Sequence, residues 1–244
     1  MDTSRRKPSC ALLMAGANIH ARMLLQALDI ADLMPDLVID EAGTKRATML
    51  QAWLANEIDN PPPVESLMAR WPGRYRAVDA FDGSAVTALL TQMKPDYVIS
   101  GGAGIIRPAL LQLPRIGFIN IHPGLLPDFR GVDPVLWALA GGGRLGATVH
   151  LMSEGIDEGP ILLRRELPES AVAADALGTR LACMRHGAGL LVEYLQNPAR
   201  HPPEAQDESQ ARYYKAFPPE RLAEADAAAR ARHAAMLKVG VEHV

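Results

Sequence analysis

Cys10-Ala11-Leu12-Leu13-Met14-Ala15-Gly16-Ala17-Asn18 decides the class of this chain. A short apolar run ends at a glycine, and an asparagine follows where it can cap a helix whose apolar spacing continues to about Ile30. That is a strand–turn–helix opening, and the same grammar recurs toward the C-terminus. Leu37–Asp40 is expected as a second strand and Thr44–Ile58 as a second helix, before Asn60-Pro61-Pro62-Pro63 interrupts any regular element. Ser84–Met93 reads as a helix, and Asp96–Ser100 as a buried strand running into Gly101-Gly102-Ala103-Gly104. Gly117–His122 is a further strand, ended by Pro123, and Pro134–Leu139 opens a short helix stopped at Gly141-Gly142-Gly143. Ala147–Met152 and Pro160–Leu167 read as strands, Ala173–Leu195 as a long helix and Ala223–Leu237 as an alanine-rich one. The expected class is α/β: a doubly wound, mostly parallel, Rossmann-like sheet over residues 1–200. A short helical extension, residues 201–244, is expected to pack on it. Ligands of such sheets sit beyond the carboxyl ends of the strands, which brings Gly16–His20, Gly101–Ile106 and Asn120–Gly131 to one expected crevice.

At 244 residues the chain is long enough for one large α/β domain, and 48% hydrophobic with 22% charged residues is the composition of a folded globular protein. The formal net charge is −3, with acids and bases interspersed, so neither a nucleic-acid nor a membrane-surface partner is expected. The two cysteines, Cys10 and Cys183, are too few for a disulfide scaffold and match no zinc spacing, so no metal and a cytoplasmic setting are expected. Arg5-Arg6-Lys7 before an apolar stretch imitates a secretory signal, but Cys10–Ala15 is shorter than the apolar segment such signals need. No apolar run has the length of a membrane span. G-x-G-x-x-G after the first strand, a Walker loop, H-E-x-x-H and G-x-S-x-G are all missing, which counts against the dehydrogenase, kinase, metalloprotease and serine-hydrolase classes.

Three polar residues fall where strands end. Asn120 and His122 are two apart on one strand, so their side chains project to the same side. Asp157 lies in Gly155-Ile156-Asp157-Glu158-Gly159-Pro160, a glycine-bracketed loop just before a strand. Taken singly, Asn-x-His is a satisfied polar pair and the aspartate is turn chemistry.

Together the motifs are specific. Asn120-Ile121-His122-Pro123-Gly124-Leu125-Leu126-Pro127-Asp128-Phe129-Arg130-Gly131 resembles the signature of the folate-dependent formyltransferase family. So does Gly146-Ala147-Thr148-Val149-His150, followed by Gly155–Ile161. The resemblance covers most of Lys94–Leu167. It implies Asn120, His122 and Asp157 as catalytic residues and 10-formyltetrahydrofolate as co-substrate. Gly102, Ala103, Gly104, Ile105 and Ile106 are implied to line the pterin, with Ser153, Glu154, Gly155 and Ile156 as a second pterin loop. Asn120 and a protonated His122 would stabilise the developing oxyanion, one preorganised donor being worth ~3–4 kcal/mol. Asp157 beside His122 would raise the histidine pKa and help relay the proton. His150 reads as a packed strand residue.

The acceptor expected from this resemblance is a primary amine of a small molecule, an amino sugar or a biosynthetic intermediate. A single glycine in Met14–His20 and Gly124 in place of the family's usual serine depart from the purine-pathway enzymes. Pro134–Leu139 resembles the helix of sugar N-formyltransferases, and Arg212-Tyr213-Tyr214-Lys215-Ala216-Phe217-Pro218 is similar to their tyrosine-rich segment. Its bland alternative is an aromatic clamp holding the tail to the core. No second barrel like that of the tRNA enzyme is expected in the residues after Gln196. A formyltetrahydrofolate hydrolase and a non-catalytic folate-binding module stand as alternatives. The alanine-rich helix leaves open packing on its own core or in a homodimer.

Overall fold

A computed structural model describes residues 7–15, 18–41, 61–81 and 83–241. The expected helix over Thr44–Ile58 falls outside the described residues. Nine strands and seven α-helices are described: β1 (Cys10–Met14), α1 (Ile19–Ile30), β2 (Leu37–Glu41), α2 (Val64–Met68), β3 (Tyr75–Val78), α3 (Ser84–Met93), β4 (Tyr97–Gly101), α4 (Pro108–Leu111), β5 (Gly117–His122), β6 (Arg130–Gly131), α5 (Pro134–Ala140), β7 (Gly146–Leu151), β8 (Ile161–Glu166), α6 (Ala176–Gln196), β9 (Tyr213–Tyr214) and α7 (Leu222–Val241). Seven strands form one sheet in the order β3-β2-β1-β4-β5-β7-β8, and β6 pairs with β9 separately. The ladders β3–β2, β2–β1, β1–β4 and β4–β5 are parallel, while β7–β8 is antiparallel. This is the α/β, mostly parallel sheet that the strand–helix alternation predicts.

The chain divides into two compact units, Met1–Asn120 with Leu195–Arg200, and Ile121–Tyr194 with His201–Val244. In the first, all five residues of β1 are buried, each large aliphatic side chain stabilising by about 1.5–3 kcal/mol. Asn18 caps α1 by accepting from the Ala21 amide at 2.9 Å, and its Nδ2 donates to the Gly101 carbonyl at 2.8 Å, tying the helix start to the end of β4. Asp40, buried near the end of β2, accepts the Tyr75 hydroxyl at 2.7 Å, which offsets the cost of a carboxylate in a core strand. Both thiols are buried, and burial pushes Cys10 and Cys183 up to about 12, out of reach of nucleophilic use at neutral pH.

In the second unit Val135, Leu139, Leu145, Leu167, Cys183 and Phe217 form a core that Ala225 and Ala229 of α7 join. Their i, i+4 spacing puts both on one face, and the missing side-chain bulk lets α7 approach. Asp226 accepts from the Ala176 amide at 2.9 Å, capping α6 from α7. The alanine-rich helix therefore packs on its own chain.

β3, α2 and α4 escape sequence reading. Tyr75–Val78 is a half-exposed strand at the sheet edge carrying Arg76, so it has neither an apolar run nor clean alternation. The two helices have only five and four residues, too few for a 3.6-residue period to declare itself.

Candidate active site

Along Gly117–His122 only Gly117 and Asn120 are partly exposed, and His122 ends the strand in the interior, 4% exposed. Asn120, two residues earlier on the same strand, is partly buried. The acid of the loop between β7 and β8 meets the histidine: His122 Nδ1 lies 3.5 Å from Asp157 Oδ2. The other face of the carboxylate is met by His150, whose Nε2 lies 3.5 Å from Asp157 Oδ1 while its Nδ1 lies 2.9 Å from the Leu151 carbonyl. Gly131 N–H donates to Asp157 Oδ2 at 2.9 Å. A single carboxylate is thus gripped by two imidazoles and a backbone amide. His150 is 1% exposed. It is buried, as the sequence reading has it, and it also contacts the acid, which that reading missed although His150 ends the second motif.

Asp157 adopts φ 57°, the left-handed region that aspartate tolerates better than most residues. Burial pushes its carboxyl upward, but the His150 contact, the His122 charge and the Gly131 amide outweigh it and hold the value down at about 2. His122 behaves otherwise than expected. Burial pulls its pKa below the ordinary 6.5, and the attraction of Asp157 only partly opposes it, with His150 adding to the depression. The ring expected as a resident imidazolium is biased toward neutrality because desolvation of a fully enclosed cation exceeds one partly compensated attraction. Its Nε2 lies 2.6 Å from the Phe129 carbonyl. Both ring nitrogens therefore face oxygen, and either neutral tautomer sets one lone pair against an acceptor.

These shifts have a sign. A folded-state histidine pKa below 6.5 leaves stability complete above that pH and diminishes it as pH falls further, because the unfolded chain takes up a proton the buried ring resists. Asp157 adds a second loss as pH falls from near 3.8 toward 2. Denaturation midpoints between about pH 7.5 and about pH 5 should fall with a His122 contribution of up to ~1.4 kcal/mol per pH unit, and His122→Gln should flatten that part. An unchanged slope in the variant would show that the ring titrates alike in both states.

The strand pair β6–β9 runs alongside this cluster. Arg130 pairs with Tyr213 and Gly131 with Tyr214. Tyr213 OH donates to the Ile156 carbonyl and lies 3.5 Å from Glu158 Oε1. Phe129 stacks on Tyr214 at 5.6 Å, Trp137 meets Tyr214 at 5.1 Å and Phe217 edge-on at 4.9 Å, and Trp137 Nε1 donates to the Lys215 carbonyl at 2.9 Å. The aromatic-clamp reading of Arg212–Pro218 describes these contacts.

Gly124, the departure from serine, has a local cause. A Cβ there would lie 2.6 Å from Pro134 Cβ and 3.0 Å from His122 Nε2. Gly124→Ser should destabilise by about 1–3 kcal/mol, measured by denaturant unfolding. Adding Pro134→Ala leaves the backbone-attached Cβ of residue 134 in place, so it should recover little; full recovery would move the clash to the proline ring.

Each expected folate loop can be placed by itself. In Gly102–Ile106, Gly102 and Gly104 both have φ 77°, Ala103 and Ile106 are buried, and Ile105 is 88% exposed. Only Ile105 of the expected isoleucine pair presents its side chain. In the other loop Ser153 and Glu154 are exposed, Ser153 Oγ donates to the Gly155 carbonyl at 3.2 Å, and Ile156 is 55% exposed. Among the described residues no group of three or more His, Cys, Asp or Glu could hold a metal ion, and no helix is long and apolar enough to cross a membrane.

The formyl transferase family matches residues 50–187. A methionyl-tRNA formyltransferase of Synechococcus sp. (strain JA-3-3Ab) is 38% identical over 164 residues, 63% of this chain and 49% of the relative. The chain spans about half the length of the curated relatives it matches. Among solved structures, glycinamide ribonucleotide transformylase 1 from Symbiobacterium toebii superposes with TM-score 0.60 at 20% identity, covering 82% of this chain and 94% of that one. The formyltransferase PseJ from Anoxybacillus kamchatkensis, solved with UDP-4,6-dideoxy-4-formamido-L-AltNAc and tetrahydrofolate, gives TM-score 0.53 at 20% identity, covering 84% and 85%. At those identities the superpositions speak for the fold. The family match takes in more than half of the chain, including Asn120, His122, His150 and Asp157, so the chain belongs to the formyl transferase family.

Proposed function

We propose that this chain transfers the formyl group of 10-formyltetrahydrofolate to a primary amine of a small molecule, an amino sugar or a biosynthetic intermediate. The observation that carries this is the enclosed His122–Asp157–His150 cluster, one carboxylate from the loop between β7 and β8 set between two imidazoles. The amine lone pair attacks the formyl carbon while the carbonyl π pair moves onto oxygen. The tetrahedral carbon then collapses, breaking its bond to the folate nitrogen, and one proton passes from the amine to that nitrogen. Asn120 is assigned to donate to the oxyanion, and His122 to take and return the proton, with Asp157 stabilising the imidazolium that forms. Gly102–Ile106 and Ser153–Ile156 are assigned to the folate, and the exposed Ile105 and Ile156 offer apolar contacts for it.

The relatives named as methionyl-tRNA formyltransferases favour a second reading, in which the acceptor amine belongs to methionyl-tRNA. One experiment separates them: conversion of 10-formyltetrahydrofolate to tetrahydrofolate in a single turnover, with pooled amino sugars, pooled amino acids, or methionyl-tRNA. Turnover with the small amines supports the first reading and turnover with charged tRNA alone replaces it. Formate release at the same rate without any amine would make the chain a hydrolase instead.

A further inference from the structure

We propose that Gln206 is a positioning residue for Asp157, a clamp built from the C-terminal segment onto the loop that carries the acid. Its side-chain amide donates to the Asp157 carbonyl at 2.8 Å and to the Gly159 carbonyl at 2.7 Å, so both amide hydrogens are committed to one turn. Its oxygen is held in place by Arg130, which donates through Nε at 3.1 Å and Nη2 at 2.9 Å. Arg130 is in turn fixed by a two-toothed pair with Glu208, at 2.9 and 2.6 Å. The guanidinium is only 2% exposed, and a buried planar donor fork with every edge engaged has little freedom to turn.

The clamp matters because Asp157 needs holding. Its backbone lies in the left-handed region at φ 57°, which persists only where surroundings over-determine it. Gly131 N–H fixes one carboxylate oxygen, but nothing in that contact fixes the peptide. Gln206 does so, from both ends of the Asp157–Gly159 turn. The carboxylate sits at 3.5 Å from each imidazole, so a small rotation of the turn changes both attractions. Glu158 of the same loop lies 4.0 Å from Arg130 and 3.5 Å from the Tyr213 hydroxyl, which adds charged and polar groups around the acid besides His122 and His150. Residues 206 and 208 lie outside the stretch 50–187 on which the family match rests.

The kinetic half of the test rests on the proposed formyl transfer; the spectroscopic half does not. Gln206→Met keeps side-chain length and net charge but removes both donors, and Arg130 retains Glu208, so the fold should survive. Gln206→Ala serves as the second variant. Expected are displaced imidazole nitrogen NMR signals for both His122 and His150, a displaced titration midpoint for His122, and a kcat reduced about 10- to 100-fold with KM for the folate changed less than about threefold. A lower thermal midpoint alone, with wild-type histidine signals, would make Gln206 an ordinary structural contact and overturn the proposal. Wild-type protein that turns over no formyl donor would sink the functional reading, and the histidine signals would still decide the clamp.

Discussion

His122→Gln should lower the single-turnover rate of formyl transfer by about 10³-fold while folate binding stays within about threefold. Proton transfer by a placed side chain contributes roughly 10²–10⁴, and loss of charge stabilisation at the oxyanion acts in the same direction. Glutamine keeps a polar contact toward the Phe129 carbonyl but cannot accept and return a proton. The environment of the wild-type ring suits that duty: burial disfavours the cation, while Asp157 at 3.5 Å and the Phe129 carbonyl at 2.6 Å favour it. A ring poised between opposing effects needs only a modest new charge, such as an alkoxide, to change state. The rate of chemistry should therefore rise with pH on the acid side and level off below the ordinary histidine range, and the variant should lose that inflection. A variant within tenfold of wild type would remove His122 from the reacting atoms.

The central strands of the sheet were the legible part. Cys10–Met14, Gly117–His122 and Gly146–Leu151 lie within a residue or so of their expected limits because mostly apolar stretches there are bounded by glycine or proline. His122 and Asp157 could be paired from their motifs, and the structure places them together. What could not be read is what depends on long-range contact. His150 is as buried as a core strand residue, and only the folded loop puts the carboxylate against it. Gln206 sits in Glu204–Gln210, a polar stretch with no period, and its importance exists only through two carbonyls some fifty residues upstream. The pKa of His122, expected above its ordinary value, lies below it for a related reason. A neighbouring acid is visible in a motif, but the depth of burial that outweighs it is not.

Gly131→Ala should destabilise the protein by about 3 kcal/mol or more and reduce kcat beyond what the lost stability explains. Gly131 has φ +96°, and a Cβ there would lie 2.2 Å from the Tyr214 carbonyl oxygen. The strand pair must open to admit it. The ladder has little slack: Arg130 N–H donates to the Arg212 carbonyl at 2.9 Å and Val132 N–H to the Tyr214 carbonyl at 3.0 Å, while Phe129 and Trp137 hold the Tyr214 ring. Moving Gly131 instead of Tyr214 displaces the amide that donates to Asp157 at 2.9 Å, so either relaxation reaches the acid. Denaturant unfolding measures the first effect, and kcat at a temperature where the variant is fully folded measures the second. A loss below about 1 kcal/mol would mean that the tail yields easily. A large loss of stability with wild-type kcat would mean that the Gly131 amide does not set the carboxylate. Both effects together are expected because one glycine serves two neighbours, the tail strand on one side and the loop that carries Asp157 on the other.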